Sequence, residues 1–212
     1  MPAPLPVDLY AILDRSVAGN RPLREILDGI IAGGGRLVQL REKEWPVRQW
    51  LPLASELRRR AKESGVTFIV NDRLDLALAV EADGLHVGQD DLPAPVARRL
   101  LGPGKILGVS THSVEQAVQA QADGADYVAI GAIYQTFTKT NFELVGLEML
   151  RAVRPLIRTP LVAIGGITSE NVEEVIRAGA DGVAVISGIS GAPDPAAETR
   201  RFLDRIRAAR AR

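Results

Sequence analysis

The stretch Leu161–Ile186 reads LVAIGGITSENVEEVIRAGADGVAVI and decides the fold class. Two short apolar runs, Leu161–Ile164 and Gly182–Ile186, flank an amphipathic pattern over Glu170–Ala178. Short apolar runs bounded by turn residues are typical of buried strands, and the longer pattern between them predicts a helix. A strand, a helix and a second strand in this order indicate a parallel β–α–β unit with a right-handed crossover.

The same alternation extends over the whole chain. Val47–Ser64 and Val114–Asp123 are the clearest helical patterns outside the first stretch. Eight strands that alternate strictly with helices predict a single-domain (β/α)8 TIM barrel over residues 1–212. An open doubly wound sheet has fewer strands and a glycine-rich first turn, whereas Asp14-Arg15-Ser16 follows the first run here. The other six runs are Asp8–Leu13, Leu37–Leu40, Thr67–Val70, Gly84–Val87, Ile106–Val109 and Tyr127–Ile130.

A weak internal repeat precedes three of the predicted strands. Glu81–Gly84, Ala122–Asp126 and Ala178–Gly182 each combine glycine with aspartate immediately before an apolar run. Glycine ends helices in the left-handed conformation, and aspartate forms hydrogen bonds within turns. These segments are therefore interpreted as structural turns at the amino-terminal end of the barrel, and their aspartates as non-catalytic.

The charge balance and the lengths of the apolar segments exclude two kinds of partner, nucleic acid and membrane. Lys plus Arg and Asp plus Glu each number 26, so the net charge of zero provides no basic excess for nucleic-acid binding. No segment approaches the ~20 apolar residues of a membrane span, and the N-terminus lacks a signal-peptide pattern. We therefore expect a cytoplasmic protein that binds neither nucleic acid nor membrane. Sequence alone leaves open whether it forms a homo-oligomer.

The absence of cysteine and the scarcity of histidine restrict the chemistry further. Without cysteine, thiolate catalysis and thiolate metal sites are excluded, and two histidines cannot form a histidine-rich metal centre. Any metal must then be held by oxygen ligands, which points to Mg²⁺.

Cationic side chains follow the second predicted strand. Alternation places Gln39, Arg41 and Lys43 on one face, at the carboxyl-terminal end where barrels of this fold carry their active sites. Arginine offers a planar fork for phosphate oxygens and lysine a point charge, so this face predicts phosphate binding. The alternative is a strand end with solvated charges.

Carboxylates follow the third and fourth strands. Asp72 comes directly after the third strand, and Asp90 and Asp91 follow the fourth. Because neighbouring strands end side by side, Asp72 with Asp90 or Asp91 would supply the one or two carboxylates that hold Mg²⁺ beside substrate phosphates. The alternative for Asp72 is a helix N-cap.

Hydroxyl and glycine residues follow the later strands. Ser110 ends the fifth strand, and His112 is either an acid–base group or a turn histidine, whereas His86 is interpreted as a packed core residue. Thr136, Thr138 and Lys139 follow the sixth strand, Gly165 and Gly166 the seventh, and Ile186 and Ser187 the eighth. Loops after the seventh and eighth strands commonly bind phosphate in barrels, so a second anion site is predicted there.

Seven segments together resemble the thiamine-phosphate synthase family, in the right order and over nearly the whole chain. The resemblance implies a barrel transferase that joins a hydroxymethylpyrimidine diphosphate to a thiazole phosphate and releases pyrophosphate. It also implies a dissociative mechanism, in which pyrophosphate leaves before the thiazole nitrogen attacks the pyrimidine carbocation. The segments are Gln39–Lys43, Val70–Arg73, His86–Asp91, Gly108–Ser110, Thr136–Lys139, Ala163–Ile167 and Ala184–Ser187.

The resemblance also assigns roles to individual residues. Asp72 and Asp91 would bind Mg²⁺. The expected ligands of the pyrimidine diphosphate are Gln39, Arg41, Lys43, Asn71, Ser110 and Lys139, of which Arg41, Lys43, Ser110 and Lys139 are the expected catalytic groups. The thiazole phosphate would bind to Thr136, Thr138, Gly166, Ile186 and Ser187.

Three rival functions are weighed against the synthase. The related thiazole tautomerase places a catalytic histidine where this chain has Ala132, tends to lose the carboxylate present here as Asp91, and commonly lacks the threonine found at Thr138. A non-catalytic binder of thiamine precursors would not need the pair Asp72 and Asp91. A generic phosphate-binding isomerase needs a positioned acid and base, for which His112 is the only histidine candidate near the active-site end.

Overall fold

The computed structural model describes residues 5–136 and 143–211 as a closed barrel of parallel strands. Each strand pairs with the next along the chain, and the last pairs with the first. The predicted (β/α)8 TIM barrel is thereby confirmed. The strands are β1 (Leu9–Asp14), β2 (Leu37–Arg41), β3 (Thr67–Asn71), β4 (Gly84–Val87), β5 (Ile106–Thr111), β6 (Tyr127–Ile130), β7 (Leu161–Ile164) and β8 (Gly182–Val185).

Helices cover the outside of the barrel. They are α1 (Arg15–Ala18), α2 (Leu23–Ala32), α3 (Val47–Glu63), α4 (Leu74–Ala79), α5 (Ala94–Leu101), α6 (Val114–Ala122), α7 (Gly146–Val153), α8 (Val172–Arg177), α9 (Ser187–Ser190) and α10 (Pro195–Arg210). A 3₁₀ turn over Arg154–Leu156 continues α7. Within the described ranges, no helix is long and apolar enough to cross a membrane.

Several strands extend beyond the apolar runs that predicted them. Polar residues at their carboxyl ends still take part in the ladder, since Asp14 lies opposite Arg41, Asn71 opposite His86, and Thr111 opposite Ile130. Regular strand structure therefore carries polar side chains up to the end of the barrel where sites form.

The core has two layers. The larger layer lies between the sheet and the helices. The smaller one fills the barrel interior and consists of Tyr10, Ile12, Leu37, Ile69, Tyr127, Ala129, Val162 and Ala184. Gly108 is required for this interior packing, because a Cβ there would lie 2.0 Å from Cζ of Tyr127. The absent side chain makes room for the tyrosine ring.

The three aspartate turns form one repeated contact. The carboxylates of Asp83, Asp126 and Asp181 accept hydrogen bonds from backbone N–H groups at the starts of β3, β5 and β7, at 2.8, 2.8 and 2.7 Å. Each carboxylate also pairs with an arginine: Arg58, Arg98 and Arg154, respectively. These aspartates link adjacent elements at the amino-terminal end, which agrees with the structural role that the sequence predicted.

Candidate active site at the carboxyl end of the barrel

A cavity of about 710 Å³ opens at the carboxyl ends of the strands. Its volume falls in the range typical of small-molecule sites. Residues at or just after the carboxyl ends of six different strands line it, among them Lys43, Asp91, Ser110, Gly131, Gly165 and Ile186. This is the end at which enzymes with this fold place their chemistry.

A second cavity of about 510 Å³ adjoins the first. Thr136, Ile164, Gly165 and Ile186 line both cavities, so the two are separated by a shared wall only. Glycine backbone and hydroxyl groups dominate the polar lining of the second cavity, where Gly166, Thr168 and Ser187 lie. The structure therefore provides two adjoining compartments of different chemistry.

Arg41 ends β2 and forms an ion pair with Asp14 at the end of β1. The pair is largely shielded from water, since the Arg41 side chain is 13% exposed and that of Asp14 is 3% exposed. Asp14 also accepts hydrogen bonds from the backbone N–H and the hydroxyl of Ser16, at 2.9 and 2.6 Å. Because a guanidinium has five N–H donors, the ion pair still leaves donors for an anionic ligand.

Lys43 lies in a turn that Glu42 organises. The Glu42 carboxylate accepts hydrogen bonds from the backbone N–H groups of Glu44 and Trp45, at 2.6 and 3.2 Å, and from Nε of Arg15 at 2.9 Å. Burial acts to raise the pKa of Glu42, but these hydrogen bonds hold it below its ordinary value. Glu42 therefore stays ionised and keeps the turn closed, with the half-exposed Lys43 ammonium paired to Asp72.

Asp72 and Asp91 together line a cavity of about 210 Å³, which shares Lys43 and Asp91 with the larger cavity. The two carboxyl groups interact with each other, and Asp91 accepts a hydrogen bond from the Gly88 N–H at 2.7 Å. Burial and the neighbouring Asp91 raise the pKa of Asp72, which Lys43 only partly offsets. Burial also acts to raise the pKa of Asp91, but hydrogen bonds from Asp72 and Gly88 leave it below its ordinary value.

This geometry decides two alternatives that the sequence left open. Asp72 is not a helix cap, because Arg73 occupies the N-cap position of α4 and no side chain caps it. Asp91 rather than the exposed Asp90 faces Asp72. No group of three or more His, Cys, Asp or Glu residues suited to a metal is found among the described residues. Two adjacent carboxylates nonetheless fit Mg²⁺, which keeps water or phosphate oxygens as its other ligands.

A chain of buried side chains connects two of the predicted ligand residues through the barrel interior. Gln39 Nε2 donates to the Tyr10 hydroxyl, which contacts the Tyr127 hydroxyl, both at 2.8 Å. The Tyr127 hydroxyl lies 2.8 Å from Nδ1 of His86, and Nε2 of His86 lies 2.8 Å from Oγ of Ser110. His86 is buried, as predicted, but it is a polar link to the cavity rather than only a packing residue.

His112 lines the larger cavity. Its Nδ1 lies 2.6 Å from the carbonyl oxygen of Gly131. Because a carbonyl can only accept, Nδ1 carries the proton in this contact. Ser113 caps α6 by accepting a hydrogen bond from the Gln116 N–H at 3.2 Å.

The remaining predicted ligand residues are distributed between the compartments. Thr136 and Ile186 lie on the shared wall, and Gly166 and Ser187 line the smaller cavity. Gly166 has a φ of +63°, and a Cβ there would lie 2.4 Å from the carbonyl oxygen of Gln135, so only glycine fits. Asn71 borders a 30 Å³ cavity in the barrel interior, together with Gln39 and Arg41. Thr138 and Lys139 lie outside the described residues.

Sequence reasoning missed the supporting residues of the site. Asp14 and Tyr10 contact the predicted ligand residues Arg41 and Gln39. Glu42 closes the turn that holds Lys43, and Tyr127 connects Tyr10 to His86. None of these four residues was predicted from the sequence. The signal that could have found the tyrosines is strand alternation, which turns Tyr10 toward the barrel interior together with Gln39. No comparable pattern marks Glu42, because its role depends on the conformation of one turn.

Comparison with known proteins identifies the family. Residues 9–189 match the family described as thiamine monophosphate synthase. The chain is 52% identical to the thiamine-phosphate synthase of Moorella thermoacetica, over 96% of this chain and 97% of the relative. It is 48% identical to that of Chloroflexus aurantiacus, over 92% and 90% of the two chains.

A solved structure gives the same result. The thiamine phosphate pyrophosphorylase from Pyrococcus furiosus superimposes with a TM-score of 0.86, at 35% identity, and the match covers 96% of each chain. The fold, the family resemblance and the transferase function predicted from the sequence are thus confirmed together. The chain belongs to the thiamine monophosphate synthase family, whose transferases condense a pyrimidine with a thiazole moiety.

Proposed function

We propose that this chain, acting as one domain over residues 1–212, joins a pyrimidine methyl diphosphate to a thiazole ethyl phosphate, giving thiamine phosphate and pyrophosphate. The observation that carries the proposal is the pair of adjoining cavities at the carboxyl end of the barrel. The larger compartment has Lys43 and Asp91 in its wall, and Asp72 and Arg41 line two smaller cavities that share residues with it. The second compartment has glycine backbone and hydroxyl groups. Two phosphorylated substrates that meet across the shared wall account for this division.

The diphosphate is assigned to the larger compartment. Lys43 and Ser110 line it, and Arg41 and Asn71 lie next to it in the 30 Å³ interior cavity. Gln39 is buried and reaches the compartment through its hydrogen-bond chain, so its contact with the substrate would be at the pyrimidine end rather than at the phosphates. Lys139 is proposed as a further diphosphate ligand on the strength of the family resemblance.

The thiazole phosphate is assigned to the smaller compartment. Gly166 allows the closest approach to backbone there, and Thr136 and Ser187 offer hydroxyl donors. Ile186 lies on the shared wall, where the two substrates would meet. Thr138 is proposed as an additional ligand on the strength of the family resemblance.

Asp72 and Asp91 are proposed to hold Mg²⁺. Two carboxylates in contact, one with a raised pKa, form a site at which a divalent cation relieves like-charge repulsion. When bound, the ion would neutralise charge on the diphosphate as that group leaves. The protein itself contributes Arg41 and Lys43 as fixed positive charges near the leaving group.

The proposed reaction needs no nucleophile from the protein. The bond between the pyrimidine methylene carbon and the diphosphate oxygen breaks, and pyrophosphate takes the electron pair. The thiazole nitrogen then donates its lone pair to that carbon and forms the new bond. The protein orients both substrates and stabilises the negative charge that develops on pyrophosphate, which fits a site rich in cations and without cysteine.

The test is pyrophosphate release from the two substrates, measured with Mg²⁺ and with EDTA. The proposal predicts release that needs both substrates and the metal, with thiamine phosphate formed in equal amount. Release in EDTA would contradict the metal assignment. Absence of release from folded protein under both conditions would refute the synthase activity, and isomerisation of a thiazole carboxylate phosphate would then identify the tautomerase reaction instead.

A further inference from the structure

The buried side chains that link Gln39 to Ser110 form a hydrogen-bond chain with a defined direction. An amide NH₂ can only donate, so Gln39 Nε2 donates to the Tyr10 hydroxyl oxygen. The Tyr10 proton then points to its other neighbour, the Tyr127 oxygen at 2.8 Å. Tyr127 in turn donates its proton to Nδ1 of His86, also at 2.8 Å.

The direction of the chain determines the tautomer of His86. A neutral imidazole that accepts at Nδ1 carries its proton on Nε2. Nε2 therefore donates to Oγ of Ser110, 2.8 Å away. Since one lone pair of the serine oxygen is occupied by this bond, the serine proton is free to point elsewhere, and Ser110 borders the 710 Å³ cavity.

The surroundings keep this direction fixed. Tyr10 and Tyr127 are fully enclosed in the barrel, and burial raises the pKa of both hydroxyls well above the ordinary value, so both remain protonated donors. The rings of His86 and Tyr127 are stacked at 5.5 Å between centroids, and Gly108 leaves space for the tyrosine. Reversal of the hydrogen-bond chain would require the buried Gln39 amide to turn over and present its oxygen to Tyr10.

We propose that His86 is a positioning residue that donates from Nε2 to Ser110 and thereby turns the serine hydroxyl proton toward the diphosphate. The identity of the ligand as a diphosphate rests on the proposed function, whereas the direction of the hydrogen-bond chain does not. An anionic phosphate oxygen needs a donor. With the opposite tautomer, Ser110 would donate to His86 and present only lone pairs to the anion. The chain starting at Gln39 thus fixes Ser110 as a donor before the ligand arrives.

The first test is independent of activity. The protein has two histidines, and ¹⁵N-histidine NMR reports which ring nitrogen of each carries the proton. We expect a protonated Nε2 for His86, whereas His112 should be protonated at Nδ1 because that nitrogen faces the Gly131 carbonyl. The spectrum of His86→Gln assigns the signals. An unprotonated Nε2 on His86 would overturn the proposal, whether or not the protein is a synthase.

The second test is a double-mutant cycle on the synthase reaction. His86→Leu removes the donor and should lower kcat/KM roughly 10- to 100-fold, as expected for a lost hydrogen bond to a charged ligand. His86→Gln, which keeps an N–H donor, should recover part of that loss. In the Ser110→Ala background, His86→Leu should change kcat/KM less than about twofold. His86 acts through the Ser110 hydroxyl, which that background lacks.

A matched control separates positioning from general destabilisation. Val162→Ala removes two methyl groups from the same interior core layer without touching the chain, so it should lower the melting temperature and leave kcat/KM within about twofold. If His86→Leu lowered kcat/KM by the same factor in the wild-type and Ser110→Ala backgrounds, the positioning role would be refuted. A wild-type protein with no activity would instead refute the proposed function and leave the NMR test standing.

Discussion

Asp14 is the counterion of Arg41. Asp14→Asn should therefore lower the melting temperature and increase the stabilisation that bound magnesium pyrophosphate provides. The substitution keeps the shape and a hydrogen-bond acceptor for Ser16 but removes the charge. Both partners are largely shielded from water, at 3% and 13% side-chain exposure, so the arginine is left uncompensated. Breaking such a pair costs about 3–5 kcal/mol. For a chain of 212 residues this corresponds to a melting temperature roughly 6–20 °C lower.

The ligand should reverse part of this loss. If Arg41 binds the diphosphate, inorganic pyrophosphate with Mg²⁺ supplies the negative charge that Asp14→Asn removed. Saturating magnesium pyrophosphate should therefore raise the melting temperature of the variant by more than it raises that of the wild type, because binding to the folded state adds to its stability. Thermal unfolding followed by circular dichroism, with and without the ligand, measures both quantities.

Asp8→Asn is the matched control. Asp8 pairs with Arg210 on the surface, where both side chains are about half exposed, so the same substitution should cost about 1 kcal/mol or less. It should also leave the response to pyrophosphate unchanged. An Asp14→Asn protein as stable as the control would refute the burial argument. A ligand-induced shift no larger than that of the wild type would refute the contact between Arg41 and the diphosphate.

Three further predictions concern other parts of the barrel. Asp72→Asn should raise the melting temperature of the metal-free protein at neutral pH, because a raised pKa means that the ionised carboxylate destabilises the fold there, and it should abolish Mg²⁺-dependent pyrophosphate release. Asp83→Ala should lower the unfolding free energy in urea by about 1–3 kcal/mol by leaving the Phe68 N–H without its acceptor, and Asp83→Asn by less. Gly108→Ala should cost about 1–3 kcal/mol because its Cβ would displace Tyr127, and it should lower kcat/KM as well.

Most of the fold could be predicted because every strand is buried on both faces. A strand in that environment needs a continuous apolar run, and such runs as Thr67–Val70 stand out between amphipathic helices. The apolar runs do not predict the carboxyl ends of the strands, since Asp14 and Arg41 are polar yet still belong to β1 and β2. Pairing across the ladder, which sequence patterns do not report, extends these strands into the site.

The candidate site could be predicted as far as positions relative to strand ends determine it. Asp72 and Asp91 lie together because β3 and β4 are neighbours, and neighbouring strands place their following residues side by side. The contacts that support the site could not be predicted in this way. Tyr10 and Tyr127 are separated by 117 residues in sequence, and only the closed barrel brings their hydroxyls to 2.8 Å.

The aspartates show how the structure separates a structural from a chemical role for one residue type. At the amino-terminal end, Asp83, Asp126 and Asp181 each receive a backbone N–H and an arginine, so the protein itself satisfies these carboxylates. At the carboxyl end, Asp72 and Asp91 face each other and Lys43 pairs with Asp72, so one lysine serves two carboxylates; burial, together with the neighbouring Asp91, raises the pKa of Asp72. Such a pair is stable at neutral pH only at a cost in folding energy, which a bound cation would remove. The unbalanced charge, rather than the presence of aspartate, is therefore the feature that favours a metal at this end.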